Sequence, residues 1–360
     1  MDSANDRIGR EQLPDLALGT AILGTGGGGA VTGAVAVATA ALDAAGPVPL
    51  LPVDELGDDD VIAAMAMIGA PTVGQEMLGS ADQSVRVIEE LTAAIGHPPR
   101  AIMASEIGGS NGVSPVAWAA RGGLPLLDAD LMGRAFPEGQ MTSTTIVGQP
   151  QGLVIMVDAL GNVARLRPID AHWSERHVRA LCVASGASTM AGGHIMPGRE
   201  ARRSVIAGSV SRAIAIGHAV RTAPDPLEGL CRVLDATALV EGKIIEVDRQ
   251  TSGGFARGNL IIAGTGPDKG RMVRIEFQNE NLIALEDGAV LASVPDLITV
   301  VDTQSAAAIF TEDLAYGQRV TALAWPSDPI WRTERGMELA GPRAFGYDLD
   351  HVAIEAAREL

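Results

Sequence analysis

Between residues 48 and 127 the chain alternates short apolar runs with helix-like segments, and this alternation most restricts what it can fold into. Residues 48–53, 61–68, 101–104 and 124–127 read as buried strands. Between them, residues 84–95 carry Val85, Ile88, Leu91 and Ile95 on one helical stripe, and residues 113–121 are helical. Such an order predicts a three-layer α/β domain. Two further helices, 11–23 and 30–45, precede it and are separated by a run of glycines. The pattern then changes. Residues 142–147, 153–157 and 163–166 are strand-like, and helices are expected at 173–185 and 199–221. Past Pro226, six apolar runs (238–247, 259–263, 272–277, 282–285, 297–301 and 319–324) are punctuated by Gly, Asp and Pro. That spacing predicts a β-barrel or sandwich. The expected organisation is therefore an N-terminal three-layer α/β domain over 1–168. A C-terminal α+β domain containing a β-barrel follows over 169–360. A length of 360 residues suits two domains.

Composition narrows the function. A formal charge of −17 leaves no basic stripe to neutralise a phosphate backbone, so no nucleic-acid partner is expected. No apolar run reaches the roughly 18 residues of a membrane span, and residues 1–12 are polar, without a signal-peptide core. Two cysteines, Cys182 and Cys231, are too few for a disulfide framework. The expectation is a cytoplasmic protein acting on a small-molecule substrate. Its apolar composition and two lysines favour a homo-oligomer.

Four segments carry candidate chemistry. The run Gly24-Thr25-Gly26-Gly27-Gly28-Gly29 contains the dinucleotide spacing, yet a helix-like segment precedes it and the Walker lysine is absent. No nucleotide is expected. Bare N–H groups of Thr25, Gly26, Gly27 and Gly28 at a helix N-terminus suit an anion or oxyanion of a substrate. The simpler alternative is a flexible helix–helix hairpin. Glu106 and Asn111 follow a strand end, where ligands of α/β sheets bind. Asp128-Ala129-Asp130 follows the next strand, with Arg134 and Glu138 beyond. Its paired carboxylates suit general acid–base work or a divalent metal. Alternatively, Asp128 caps the next helix and Arg134 forms a structural ion pair. His194 sits among glycines in an expected loop between two helices and is the histidine best placed to act. Asp128, Asp130 and His194 together are the candidate ligands of a divalent metal such as zinc.

Several strings, in this order, resemble one family: the glycine run 24–29, Ile68-Gly69-Ala70-Pro71-Thr72-Val73, Glu106-Ile107-Gly108-Gly109, and Asp128-Ala129-Asp130 with Met132-Gly133-Arg134-Ala135-Phe136-Pro137-Glu138. Gln278-Asn279-Glu280-Asn281, Val294-Pro295-Asp296-Leu297 and Gly341-Pro342-Arg343-Ala344-Phe345-Gly346-Tyr347-Asp348 continue it. The chain resembles the S-methyl thiohydantoin desulfurase-like proteins, often grouped with hydantoinase and oxoprolinase proteins. The resemblance runs from about residue 12 to 354 and implies two domains, the second with a β-barrel. It also implies removal of sulfur from an S-methylated thiohydantoin to leave a hydantoin. On that chemistry Asp128, Asp130, Glu106 and His194 are the expected catalytic set. Thr25, Gly26, Gly27, Gly28, Asn111, Arg134 and Glu138 are expected to hold the substrate. A ring hydrolase of the hydantoinase type and a non-catalytic small-molecule-binding or accessory protein are the alternatives.

Overall fold

The computed structural model describes residues 6–69, 79–252 and 255–357. Of the string 68–73, residues 70–73 lie outside the described residues. The first part of the chain runs β1 (Arg7–Ile8), α1 (Leu13–Leu23), α2 (Val31–Ala45), β2 (Val48–Leu51), β3 (Val61–Gly69) and α3 (Asp82–Ile95). It continues through β4 (Ala101–Ala104), α4 (Ser110–Gly122), β5 (Leu126–Leu127), β6 (Ala129–Asp130), α5 (Ser143–Ile146), β7 (Val154–Asp158) and β8 (Val163–Leu166). Then come α6 (Ala171–Ala184), β9 (Ser188–Pro197), α7 (Gly198–Ser204), β10 (Ile206–Ala207), α8 (Ser209–Thr222) and α9 (Pro226–Leu234).

Eight strands form one mixed sheet in the order β1-β2-β5-β4-β3-β9-β7-β8. The β2–β5, β5–β4 and β4–β3 pairs are parallel; the others are antiparallel. Alternation along the strands fills two cores. Ala63, Met65 and Ile102 join the cluster built on α1 and α4. Ile62, Ala64, Ala101 and Met103 join a second, with Leu127, Met196 and Ala201. The expected alternation of strands and helices thus yields an α/β sheet with helices on both faces.

Three local expectations are corrected. Residues 142–147 are not a strand but the short helix α5, capped by Thr142 Oγ1 accepting from Thr145 N–H. Threonine hydroxyls offer the backbone that alternative. The single helix expected over 199–221 is two, α7 and α8, because Ile206–Ala207 leave to pair with β6. The glycine-rich stretch around His194 is no loop. It is β9, hydrogen-bonded to β3 on one side and β7 on the other. Pairing on both sides overrides the loop-like composition. His194 lies where the β3–β9 register shifts, with a φ of 46°.

α8 packs against α1. A Cβ on Gly19 would enter the Ala213 carbonyl, and one on Gly217 the Asp15 carbonyl. The two glycines let the helix backbones touch. Arg221 seals the contact, its Nε and Nη2 donating to Asp15 at 2.6 and 3.0 Å.

The remainder is strand-rich, as expected: β11 (Thr237–Ser252), β12 (Phe255–Gly264), β13 (Met272–Gln278), β14 (Glu280–Glu286), β15 (Ala289–Ser293), β16 (Leu297–Asp302) and β17 (Arg319–Trp325). They form an antiparallel seven-stranded sheet in the order β15-β14-β13-β12-β11-β17-β16 around its own apolar cluster. The sheet curls, bringing β14 against β16, but its edge strands β15 and β16 are not joined in the ladder. It is a half-barrel, consistent in outline with the barrel expected. The gap between β8 and α6 contains residue 168, and the first sheet draws β9 from beyond it.

Candidate active site at the glycine loop

The glycine run is held between the two sheets. Ser110 N–H at the start of α4 donates to Gly28 O (2.9 Å), and beside it Gly109 N–H donates to Thr20 O of α1 (2.7 Å), so the run is held against the turn between β4 and α4. From the other side, Asn281 N–H donates to Thr25 O and Thr311 N–H to Gly26 O, each at 2.8 Å. A Cβ on Gly27 would enter the Glu280 carboxylate. One on Gly26 would stand 2.9 Å from the Thr311 methyl and 3.1 Å from Asn281 Nδ2. The run therefore serves close approach and is not a free hairpin. Among the described residues, the N–H groups of Gly26, Gly28 and Gly29 meet no acceptor.

Three carboxyl groups gather here. Glu106, just past β4, accepts from Asn111 Nδ2 at 2.6 Å, while its buried Oε2 has no partner. Asn111 is itself fixed by Met67, accepting its N–H (2.9 Å) and donating to its carbonyl (3.1 Å). Burial pushes the Glu106 carboxyl up to about 7; Asn111 opposes this and the Asp130 charge adds to it. The residue keeps some accessible surface, as do Gly28 and Ser110. Asp130 is wholly buried. Its Oδ2 accepts from Ile107, Met132 and Gly133 N–H at 2.9, 3.1 and 2.8 Å, and its Oδ1 is unpartnered. Burial outweighs those bonds and pushes Asp130 up to about 7. Glu280, at the start of β14, is buried with Oε2 unpartnered. Burial first, then the Glu106 charge, hold its carboxyl well above the ordinary range, against the pull of Arg134. Beside it, Asn281 donates to Ile298 O (3.1 Å) and leaves its own Oδ1 unpartnered.

Arg134 does not wait for a substrate anion. Its Nη1 donates to Pro295 O (2.7 Å) and Asp296 O (3.0 Å), its Nε to Ala135 O (3.0 Å), and its Nη2 to Thr25 Oγ1 (2.9 Å). The guanidinium also lies over the Phe136 ring. Burial brings it down to about 10. Arg134 is an internal clamp, and Thr25 spends its hydroxyl on that clamp. Asp128 follows the capping alternative, although the helix it caps is the distant α8. Its Oδ1 accepts from Val210 and Ser211 N–H at 2.9 and 3.0 Å, and its Oδ2 from Ser211 Oγ at 2.6 Å. It also borders a cavity of about 390 Å³ with Pro52, Val53, Asp54, Arg202, Ala207 and Gly208. Glu138 pairs with Gln140. His194 contacts Thr144 Oγ1 through Nδ1 (3.2 Å) and Gln151 Nε2 through Nε2 (3.4 Å), and burial brings it down to about 4.

Asp128, Asp130 and His194 therefore serve three different sets of partners. Among the described residues no group of three or more His, Cys, Asp or Glu could hold a metal ion. This donor set does not fit a zinc site. Of the residues expected from the sequence, the structure brings Thr25, Gly26, Gly27, Gly28, Glu106, Asn111, Asp130 and Arg134 together. It adds Glu280, Asn281 and Thr311, which sequence reasoning missed. One signal existed: Glu280 and Asn281 are polar residues at the head of an apolar run, 282–285, that packs into the core.

Among the described residues, no helix is long and apolar enough to cross a membrane. A crystal structure of a protein from Chromobacterium violaceum shares the fold with a TM-score of 0.76. It is 21% identical and covers 96% of this chain and 99% of its own. No curated protein matches the chain. The family described as S-Me-THD-like matches it twice: its N-terminal domain over residues 11–167 and its C-terminal domain over 169–354. Together these matches span nearly the whole sequence, and the chain belongs to the S-methyl thiohydantoin desulfurase-like family.

Proposed function

We propose that the protein is a hydrolase that converts an S-methylated thiohydantoin into a hydantoin and methanethiol at the glycine loop. The observation that carries this reading is the pair Glu106 and Glu280. They lie beside the same loop, each has an unpartnered buried oxygen, and the charge of one raises the other. Two buried acids, one raised by the charge of the other, are suited to divide the roles of base and acid. In the reaction, the base takes a proton from water as its oxygen bonds to the ring carbon bearing sulfur. The ring nitrogen takes a proton from the acid. When the carbon–sulfur bond breaks, the thiolate leaves with a proton and the remaining oxygen becomes the hydantoin carbonyl. The two water protons end on nitrogen and sulfur. Asn281 Oδ1 is suited to accept a ring N–H, and the free N–H groups of the loop to polarise a ring oxygen. Asp130 holds the strand end from which Glu106 projects, through its bond from Ile107 N–H.

The test is methanethiol release from S-methyl thiohydantoins, followed with a thiol reagent. Glu106→Gln and Glu280→Gln are each expected to slow it by about 10²-fold or more, with the fold retained by circular dichroism. A wild-type chain that opens hydantoin or oxoproline rings but releases no methanethiol overturns the desulfurase reading in favour of a ring hydrolase.

A further inference from the structure

The clamp on the glycine loop is itself held from behind. Arg134 Nη2 reaches Thr25 Oγ1, and its Nη1 reaches the carbonyls of Pro295 and Asp296 in the turn between β15 and β16. The Asp296 carboxylate is wholly buried and collects donors from two later segments. In the turn Pro329–Arg332, Arg332 Nε donates to Oδ1 at 2.9 Å, and Nη2 to Oδ1 and Oδ2 at 2.7 and 2.6 Å. From the C-terminal stretch, Ile354 N–H donates to Oδ2 at 3.1 Å, and His351 Nε2 lies at the same distance. Burial works against the Asp296 charge, yet these donors hold its pKa below the ordinary carboxylate range. An ionised carboxylate only accepts, so the His351 ring donates through Nε2. Val352 N–H reaches Ser293 Oγ at 3.3 Å, just before the same turn. Glu355 completes the set on Arg332 at 2.7 and 2.9 Å. A second route runs beside the first. Trp331 is buried, its Nε1 donates to Met132 O at 2.8 Å, and its ring stands 4.6 Å from Phe136, over which Arg134 lies. Apolar side chains of equal volume would hold these segments together as well; a charged fork adds a fixed position.

We propose that Asp296 and His351 are positioning residues of the glycine-loop site. They fix the turn at 295–296, its two carbonyls fix Arg134, and Arg134 fixes Thr25 beside the free N–H groups of the loop. Every link in this chain is a hydrogen bond of 3.1 Å or less. Neither residue touches the substrate. The C-terminal stretch is thereby part of the site, although it follows the last strand of the second sheet. Its effect on turnover rests on the hydrolytic reading; its coupling to the loop does not.

Two measurements separate these points. The first is amide hydrogen exchange of the full chain without substrate, read by NMR. It follows the amides of Thr25 and Gly27, bonded within the loop, and of Asn281 and Thr311, which donate to it. In His351→Leu these are expected to exchange about tenfold faster than in wild type, while the amides of β9 keep their rate. His351→Gln keeps a donor and is expected to stay within about twofold of wild type. Asp296→Asn is expected to act like His351→Leu; should it fail to fold, His351→Leu decides. Wild-type exchange at the loop in His351→Leu overturns the proposal. So does a rise shared equally by β9, because a general loss of stability behaves in that way. The second measurement is methanethiol release. His351→Leu is expected to lower kcat about tenfold with KM within about twofold, and His351→Gln to restore it. Wild-type kcat in a variant with a loosened loop overturns the positioning role. Faster loop exchange in a chain that releases no methanethiol upholds the coupling and rejects the desulfurase reading.

Discussion

At the scale of single residues, burial decides the chemistry. Glu106 titrates near 7 in the folded chain and near its ordinary value of 4.5 when unfolded. Below pH 4.5 both states carry the proton, and the group has no effect on stability. Between those values the folded state keeps a proton that the unfolded state has lost, so stability falls as pH rises and levels off above about 7. Asp130 acts in the same direction. Glu106→Gln is expected to remove its share of this slope, on the order of 1–3 kcal/mol between pH 4.5 and 7. Urea unfolding across that range measures it, and an unchanged slope would show that Glu106 is not held protonated. The sequence marked Glu106 through its position after a strand. For Glu280 it offers only the apolar run that follows, which does not by itself separate a buried acid at a strand start from a solvated one. Only the meeting of residues 26–27 with 280–281 makes that difference. Arg134 and Asp128 show the converse. Their charges suggest ligand binding, yet four acceptors engage one and three donors the other.

At the scale of elements, hydrophobic period was a sound guide wherever one face of an element is buried. The strands and helices from 48 to 127 follow it closely. It failed where pairing partners set the conformation. β9 is glycine-rich and reads as a loop, yet it has a strand on each side. The break between α7 and α8 depends on β6, nearly eighty residues earlier, and on Asp128 at the start of α8. Asp128→Ala is expected to cost about 1–2 kcal/mol of stability, as loss of an N-cap does. Methanethiol turnover at a temperature where the variant is folded should remain within a few-fold of wild type. Chemical denaturation together with the activity assay checks this. A near-complete loss of turnover in a variant of normal stability would return Asp128 to the chemistry.

For the whole molecule, length and pattern indicated two architectures, and the structure has two sheets. What the sequence did not show is how they interlock. β9, from residues 188–197, lies inside the first sheet between β3 and β7. α8 docks on α1 through backbone contact at Gly19 and Gly217. A fragment of residues 1–168 is expected to lack a central strand and expose two facing ladders, so it should aggregate when expressed alone. Adding a separately made 169–360 piece during refolding should recover soluble complex. A monodisperse, folded 1–168 fragment by size-exclusion chromatography and circular dichroism would contradict this.

The wedging of residues 24–29 between the sheets has a further consequence for inactivation. One sheet supplies Glu106 and the other Glu280, so neither half holds a reactive pair when the halves part. On the proposed reading, parting of the halves at the loop is by itself enough to end turnover. Turnover is then expected to be lost no later than tertiary structure as temperature or denaturant rises, and activity to report on the assembled fraction rather than on the folding of either half.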